Sequence, residues 1–324
     1  MNSISIFTLK ALRKLYGKVF GNYKLPALQR EENRDKISDI IYDLLSSDKP
    51  CMISRYGANE LNAIINYLGV TSGTHSIIKY IKGEQFDWWW NKRIMLFMQN
   101  NAGFYPANPD NMQRFGELMI KDSKEVNVLG SWQRNEFYLN SFLPQNIIKV
   151  DRDNINPFFS KKPWTRYLKG KKVLVIHPFA KSIEKQYLRR EKLFSNPDIL
   201  PDFELKTIQA VQSIGGTCCD FNDWFEALNW MKSEMDKIDY EVCLIGCGAY
   251  GFPLAAYAKR CGKQAIHLGG SLQLYFGIKG KRWEEKGYKG GPNDYSTLFN
   301  EYWIRPSTKE TPAASQNIEN NCYW

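Results

Sequence analysis

Seven cysteines occur in this chain of 324 residues, yet none stands in a CxxC pair. The odd count and unpaired spacing argue against a disulfide framework and a cysteine zinc site. No signal peptide is expected either, because Lys10, Arg13 and Lys14 break the first apolar stretch and no small-residue cleavage site follows. A cytoplasmic protein is expected. The uncharged stretch 242–258 contains three glycines and Pro253, and it is shorter than the ~20 residues a membrane span needs. It reads as strand, turn and helix. There is neither an internal repeat nor a low-complexity linker.

Against these absences stands an excess of positive charge: 44 Lys and Arg against 34 Asp and Glu, a formal +10. Such a surface attracts phosphates, anionic lipid or nucleic acid. Residues 1–24 carry Lys10, Arg13, Lys14, Lys18 and Lys24 with no acid. Leu9, Leu12, Tyr16, Val19 and Phe20 interleave with them at helical spacing, as in a helix lying on an anionic bilayer or one packed on its own domain. The ten Trp and eighteen Tyr serve core packing or provide stacking platforms for sugars and bases.

Apolar periodicity predicts helices over 30–47, 59–67, a Trp-rich 84–100, 108–121, 182–194 and 223–235. Short apolar runs predict strands at 51–54, 126–129, 147–150, 171–179, 241–245 and 264–268. This alternation implies a Rossmann-like, mostly parallel α/β sheet flanked by helices. The organisation expected is a basic amphipathic extension at 1–30, an α/β domain at 31–306 and a polar tail at 307–324.

Three strand-to-helix turns carry candidate chemistry. Gly246, Gly248, Tyr250 and Gly251 belong to a GxGxxG-like turn, which suits a diphosphate approached by backbone amides or serves tight packing alone. The next strand ends in His267-Leu268-Gly269-Gly270 and lacks the acid that would hold a ribose, so NAD is not expected. His177, Lys181 and Ser182 follow the strongest strand and would suit a phosphate and a proton shuttle, or a capped helix with a satisfied His. Arg55, Gly57 and Glu60 open a third turn, where a guanidinium can grip a diphosphate and a carboxylate can hold a metal or accept a proton. An ordinary capped turn is the alternative. Finally, Lys279, Lys281 and Arg282, beyond Gly269 and Gly270, form a basic loop able to fold over a leaving diphosphate or to remain a surface patch.

The segments SRYGANEL (54–61), LIGCGAYGFPLAAYAKRCGKQAIHLGG (244–270) and LQLYFGIKGKRW (272–283) resemble GT-D type glycosyltransferases of bacterial capsule, O-antigen and glycan biosynthesis. The resemblance implies a nucleotide-sugar donor, a glycan or lipid-linked oligosaccharide acceptor, no nucleic-acid partner, and work at the inner face of the plasma membrane. The family motif reads Arg-aromatic-Gly-Asp-x-Glu; here Ala58 replaces the Asp. Glu60 is left as the lone candidate metal ligand for Mn²⁺ or Mg²⁺, or as the base, with His177 and Glu136 as further candidates for the base. Arg55, Lys181, Lys279 and Arg282 are the cations that would stand in for a metal. A dinucleotide-dependent oxidoreductase and a basic nucleic-acid-binding protein are the competing expectations.

Overall fold

Seven short strands, β1 (Cys51–Ser54), β2 (Val128–Ser131), β3 (Ile148–Asp151), β4 (Lys172–His177), β5 (Glu204–Gln209), β6 (Val242–Ile245) and β7 (Gln264–His267), make one sheet in the order β3-β2-β1-β7-β6-β4-β5. Every pairing is parallel. The computed structural model describes residues 2–214, 220–284, 293–312 and 322–324.

Because side chains alternate along a strand, the apolar runs feed two cores at once. Cys51, Ile53, Val173, Val175, Val242 and Leu244 enter one core with α2 (Arg34–Ser46), α7 (Ala180–Tyr187) and α10 (Leu272–Tyr275). Met52, Leu174, Ile176, Cys243 and Ile245 enter the other with α3 (Ala58–Thr71), α5 (Lys92–Ala102), α6 (Pro109–Ser123), α8 (Trp224–Asp236) and α9 (Gly251–Arg260). The result is the expected α/β sandwich of helices around a parallel sheet. A third, small cluster of Leu9, Tyr80 and Trp89 joins α1 (Ser3–Phe20) to α4 (Ile77–Lys82) and the segment after it.

Three elements depart from the periodicity, among them the helix expected over 182–194, which ends at Tyr187. The Trp-rich stretch is not one helix over 84–100: α5 starts only at Lys92, behind the N-cap Asn91. The buried Asn66 side chain bonds the carbonyls of Asp87 and Trp89 and the amide of Asn91, holding this backbone outside helical geometry. Strand β5 is the third departure. It lies on the sheet edge with mainly Ile208 buried, and its polar, solvent-facing ELKTIQ pattern lacks the apolar run that marks the inner strands.

Near the boundary expected at residue 30 the chain contacts the sheet. Glu31 forms a parallel bridge beside Val150, and Arg30 ion-pairs with Asp151 at 2.6 Å. Leader and domain are therefore tied at the end of β3. The 307–324 tail is likewise engaged where it is described. Ser307 and Glu310 form a capping box, with Glu310 buried, and Tyr323 and Trp324 pack against the region after β7.

Candidate active site

The carboxyl ends of parallel strands in an open sheet leave a crevice where the chain changes direction, here between β1 and β7. All seven strand ends feed residues into one cleft of ≈ 910 Å³. Arg55 follows β1, Trp132 follows β2, Arg152 follows β3, and His177 closes β4; Ser213 lies beyond β5, Gly246 follows β6, and His267 closes β7.

Among the described residues five arginines line this cleft, Arg30, Arg34, Arg55, Arg152 and Arg282, and no lysine does. Guanidinium groups match phosphate oxygens two at a time, so the choice of cation itself favours a phosphorylated ligand. Several are already engaged: Arg30 by Asp151, and Arg152 by Asp153 at 2.7 Å and by the face of Trp132 at 4.1 Å. Arg282 donates to the Tyr323 hydroxyl at 3.1 Å and to Cys322 Sγ.

Arg55 differs. Among the described residues none accepts a hydrogen bond from its guanidinium. Burial holds its pKa below the ordinary value, while the charge of Glu60 works against that shift. Burial also pushes the Glu60 carboxyl above the usual carboxylate range, with Arg55 opposing. A carboxylate raised in this way is a better proton acceptor near neutral pH. Gly57 makes room for it, since a methyl group there would overlap the Glu60 carboxylate. Gly269, with φ +64°, does the same for the Arg55 guanidinium.

The glycine turn after β6 shows both of its expected characters. A Cβ on Gly246 would lie 2.9 Å from His177 and 2.6 Å from the Gly269 carbonyl, and one on Gly251 would overlap the His267 ring. These two glycines let two buried histidines pack beneath the cleft. Gly248, at φ +57°, and Tyr250, stacked on Trp224 at 5.0 Å, face the cleft itself.

His177 accepts the Phe179 amide at Nδ1 over 2.9 Å, so its ring proton sits on Nε2. Burial lowers its pKa to about 3. A neutral imidazole fixed in this tautomer presents a donor to the cleft, which is a different role from the base expected of it. His267, also buried, shares a 3.0 Å hydrogen bond with Ser54 through Nδ1. Burial, aided by Arg55, depresses its pKa as well.

Other candidates lie elsewhere. Glu136 is fully buried outside the cleft, accepting the amides of Trp132 and Gln133 and the Ser131 hydroxyl; it props the loop after β2 and has no access to a substrate. At the start of α7 the phosphate position is taken by Glu310, which bonds the Ser182 amide at 3.0 Å and its hydroxyl. Lys181, Lys279 and Lys281 are absent from the lining, whereas Gly57, Gly270 and Arg282 belong to it. The convergence expected of Arg55, Lys181 and Gly248 thus holds for Arg55 and Gly248 and fails for Lys181. Sequence reading missed Arg30, Trp132, Arg152 and the Tyr323-Trp324 pair. Only the rule that ligands collect at strand ends would have pointed to Trp132 and Arg152.

No protein-family model matches this chain, and neither does any curated protein. Two solved structures align with it along most of both lengths. One is described as "The highly conserved domain of unknown function 1792 has a distinct glycosyltransferase fold", at 13% identity over 94% of this chain and 96% of that one, with a TM-score of 0.40. The other is a selenomethionine-substituted form of domain of unknown function 1792, at 14% identity over the same shares and a TM-score of 0.37. Scores of this size bear on neither the chemistry nor the residues.

Ala58 lines the cleft where a second carboxylate would stand, and Glu60 feels a guanidinium. Among the described residues no group of three or more His, Cys, Asp or Glu is placed to hold a metal ion. Glu60 beside a cation is by itself a poor donor set for Mg²⁺ or Mn²⁺, and the other carboxylates of the lining, Glu32, Asp151 and Asp153, are ion-paired with Arg30 or Arg152.

Proposed function

We propose that the cleft binds a nucleoside-diphosphate sugar and transfers the sugar to a hydroxyl of a glycan acceptor, with arginine in place of a metal. The observation that carries this reading is the buried Arg55 guanidinium, which hydrogen-bonds to none of the described residues, beside the raised carboxyl of Glu60 in a cleft whose described lining holds arginine as its only side-chain cation besides histidine. The sequence resemblance of 54–61 and 244–283 agrees with it. In the reaction the anomeric C–O bond to the diphosphate breaks as the acceptor oxygen bonds the same carbon. Glu60 takes the proton of that hydroxyl, and Arg55 and Arg282 receive the charge that develops on the departing diphosphate. The Nε2–H of His177 is a further donor toward the cleft. Aromatic faces at Trp132 and Trp283 are suited to stacking a base or a sugar.

The test is release of nucleoside diphosphate from UDP-, GDP- and TDP-sugars in the presence of a glycan acceptor, followed with and without EDTA. Turnover of one donor that is insensitive to the chelator is expected. No release from any donor, or release abolished by EDTA and restored by Mn²⁺, would contradict the proposal.

A further inference from the structure

Helix α1 presents two opposite faces. Ile6, Leu9 and Arg13 face the protein: Leu9 packs with Tyr80 and Trp89, and Arg13 lies 4.8 Å over the Tyr80 ring and donates to the Gln85 carbonyl at 3.1 Å. On the far side Ile4, Phe7, Ala11 and Leu15 fall in one sector of roughly 80° at 100° per residue. That stripe is bare, with Phe7 75% and Leu15 60% exposed. An apolar stripe two turns or more long, opposite a packed face, has no partner among the described residues. Its neighbour α4 adds the exposed Ile77 and Ile78.

Charge selects the occupant. Lys14 and Lys18 lie in and beside the stripe and are exposed, and Lys79 and Lys82 are exposed on α4. Residues 2–30 include no Asp or Glu. A second copy of this face would bring lysine against lysine, whereas an anionic headgroup layer satisfies both the cations and the apolar residues beneath them. We propose that the outer face of α1, helped by α4, docks the protein on an anionic bilayer, with Phe7 and Leu15 entering the headgroup boundary. The inference is independent of the transfer reaction, because it concerns a different surface and is read without substrate.

Flotation of the full chain with vesicles tests it. Parent protein should float with mixed phosphatidylglycerol and phosphatidylcholine vesicles, less with phosphatidylcholine alone, and less as salt is added. Phe7→Gln with Leu15→Gln should lower the partition about tenfold or more per side chain, with an unchanged melting temperature. Lys14→Gln with Lys18→Gln should flatten the salt dependence. The proposal fails if the parent stays unbound, or if the Phe7/Leu15 variant floats as well as the parent. It fails equally if that variant loses stability, which would mean the face is covered within the molecule. A parent that sediments as a dimer which the variant dissolves would assign the face to a second copy instead.

Discussion

Gly269 lies against Arg55 so closely that a methyl group on it would overlap the guanidinium. The loop after β7 can adopt φ +64° there because the residue is glycine, and the missing side chain leaves Arg55 its place in the cleft. Gly269→Ala should therefore lower kcat/KM by about as much as Arg55→Ala, roughly 10²-fold. It should also cost about 1–2 kcal/mol of stability through backbone strain. Steady-state kinetics and denaturant unfolding check this; an alanine variant with parental kcat/KM would separate Gly269 from the site.

Glu60→Gln keeps the shape of the side chain and removes the proton acceptor. Turnover should fall by about 10²–10⁴-fold with little change in donor affinity. Since burial raises the Glu60 pKa, the acid limb of the parental rate profile should lie above the ordinary carboxylate range and vanish in the variant. A variant with undiminished turnover would remove Glu60 from the chemistry.

His177 gives the opposite signature. With its pKa lowered to about 3 and Nδ1 occupied by the Phe179 amide, the ring stays neutral across the working range. His177→Asn should slow turnover while leaving the pH profile unchanged between about pH 5 and 8. A limb near the ordinary histidine pKa of about 6.5 that disappears in the variant would contradict the assignment.

Asp122 offers a stability test outside the cleft. Burial pushes its carboxyl up to about 6 although Arg260 donates to it at 2.7 Å, and Oδ2 has no partner among the described residues. The folded protein thus binds this proton more tightly than the unfolded chain. The group's contribution is complete below the unfolded pKa of about 3.9 and is lost as pH rises through about 6. Asp122→Asn imitates the protonated form, so it should be more stable than the parent at pH 7, by up to about 3 kcal/mol, and equal to it near pH 4. Urea unfolding at the two pH values decides, and a destabilised variant at neutral pH would contradict the account.

Much of the sheet could be read from the sequence because inner parallel strands are buried on both faces and become apolar runs, as at 172–177 and 242–245. Edge strand β5 has one wet side and no such run. The turns holding Arg55 and Gly248 were legible for a related reason, since glycines at strand-to-helix junctions mark places where backbones approach. Lys181 looked equivalent on local grounds. What removes it is Glu310, well over a hundred residues away, whose carboxylate fills the α7 N-terminus. Arg30 reaches the cleft through a similarly distant contact and Tyr323 through one 41 residues away, and no local pattern encodes them.

The central claim is that Arg55 receives the diphosphate of a nucleotide donor. Calorimetric titration of UDP, GDP and TDP into the parent and into Arg55→Ala, with EDTA present throughout, tests it most directly. One nucleotide should bind the parent with a defined stoichiometry, and the alanine variant should bind it about tenfold or more weakly, as loss of a charge-assisted hydrogen bond implies. Equal binding by the two proteins, or no binding by the parent, would contradict the account.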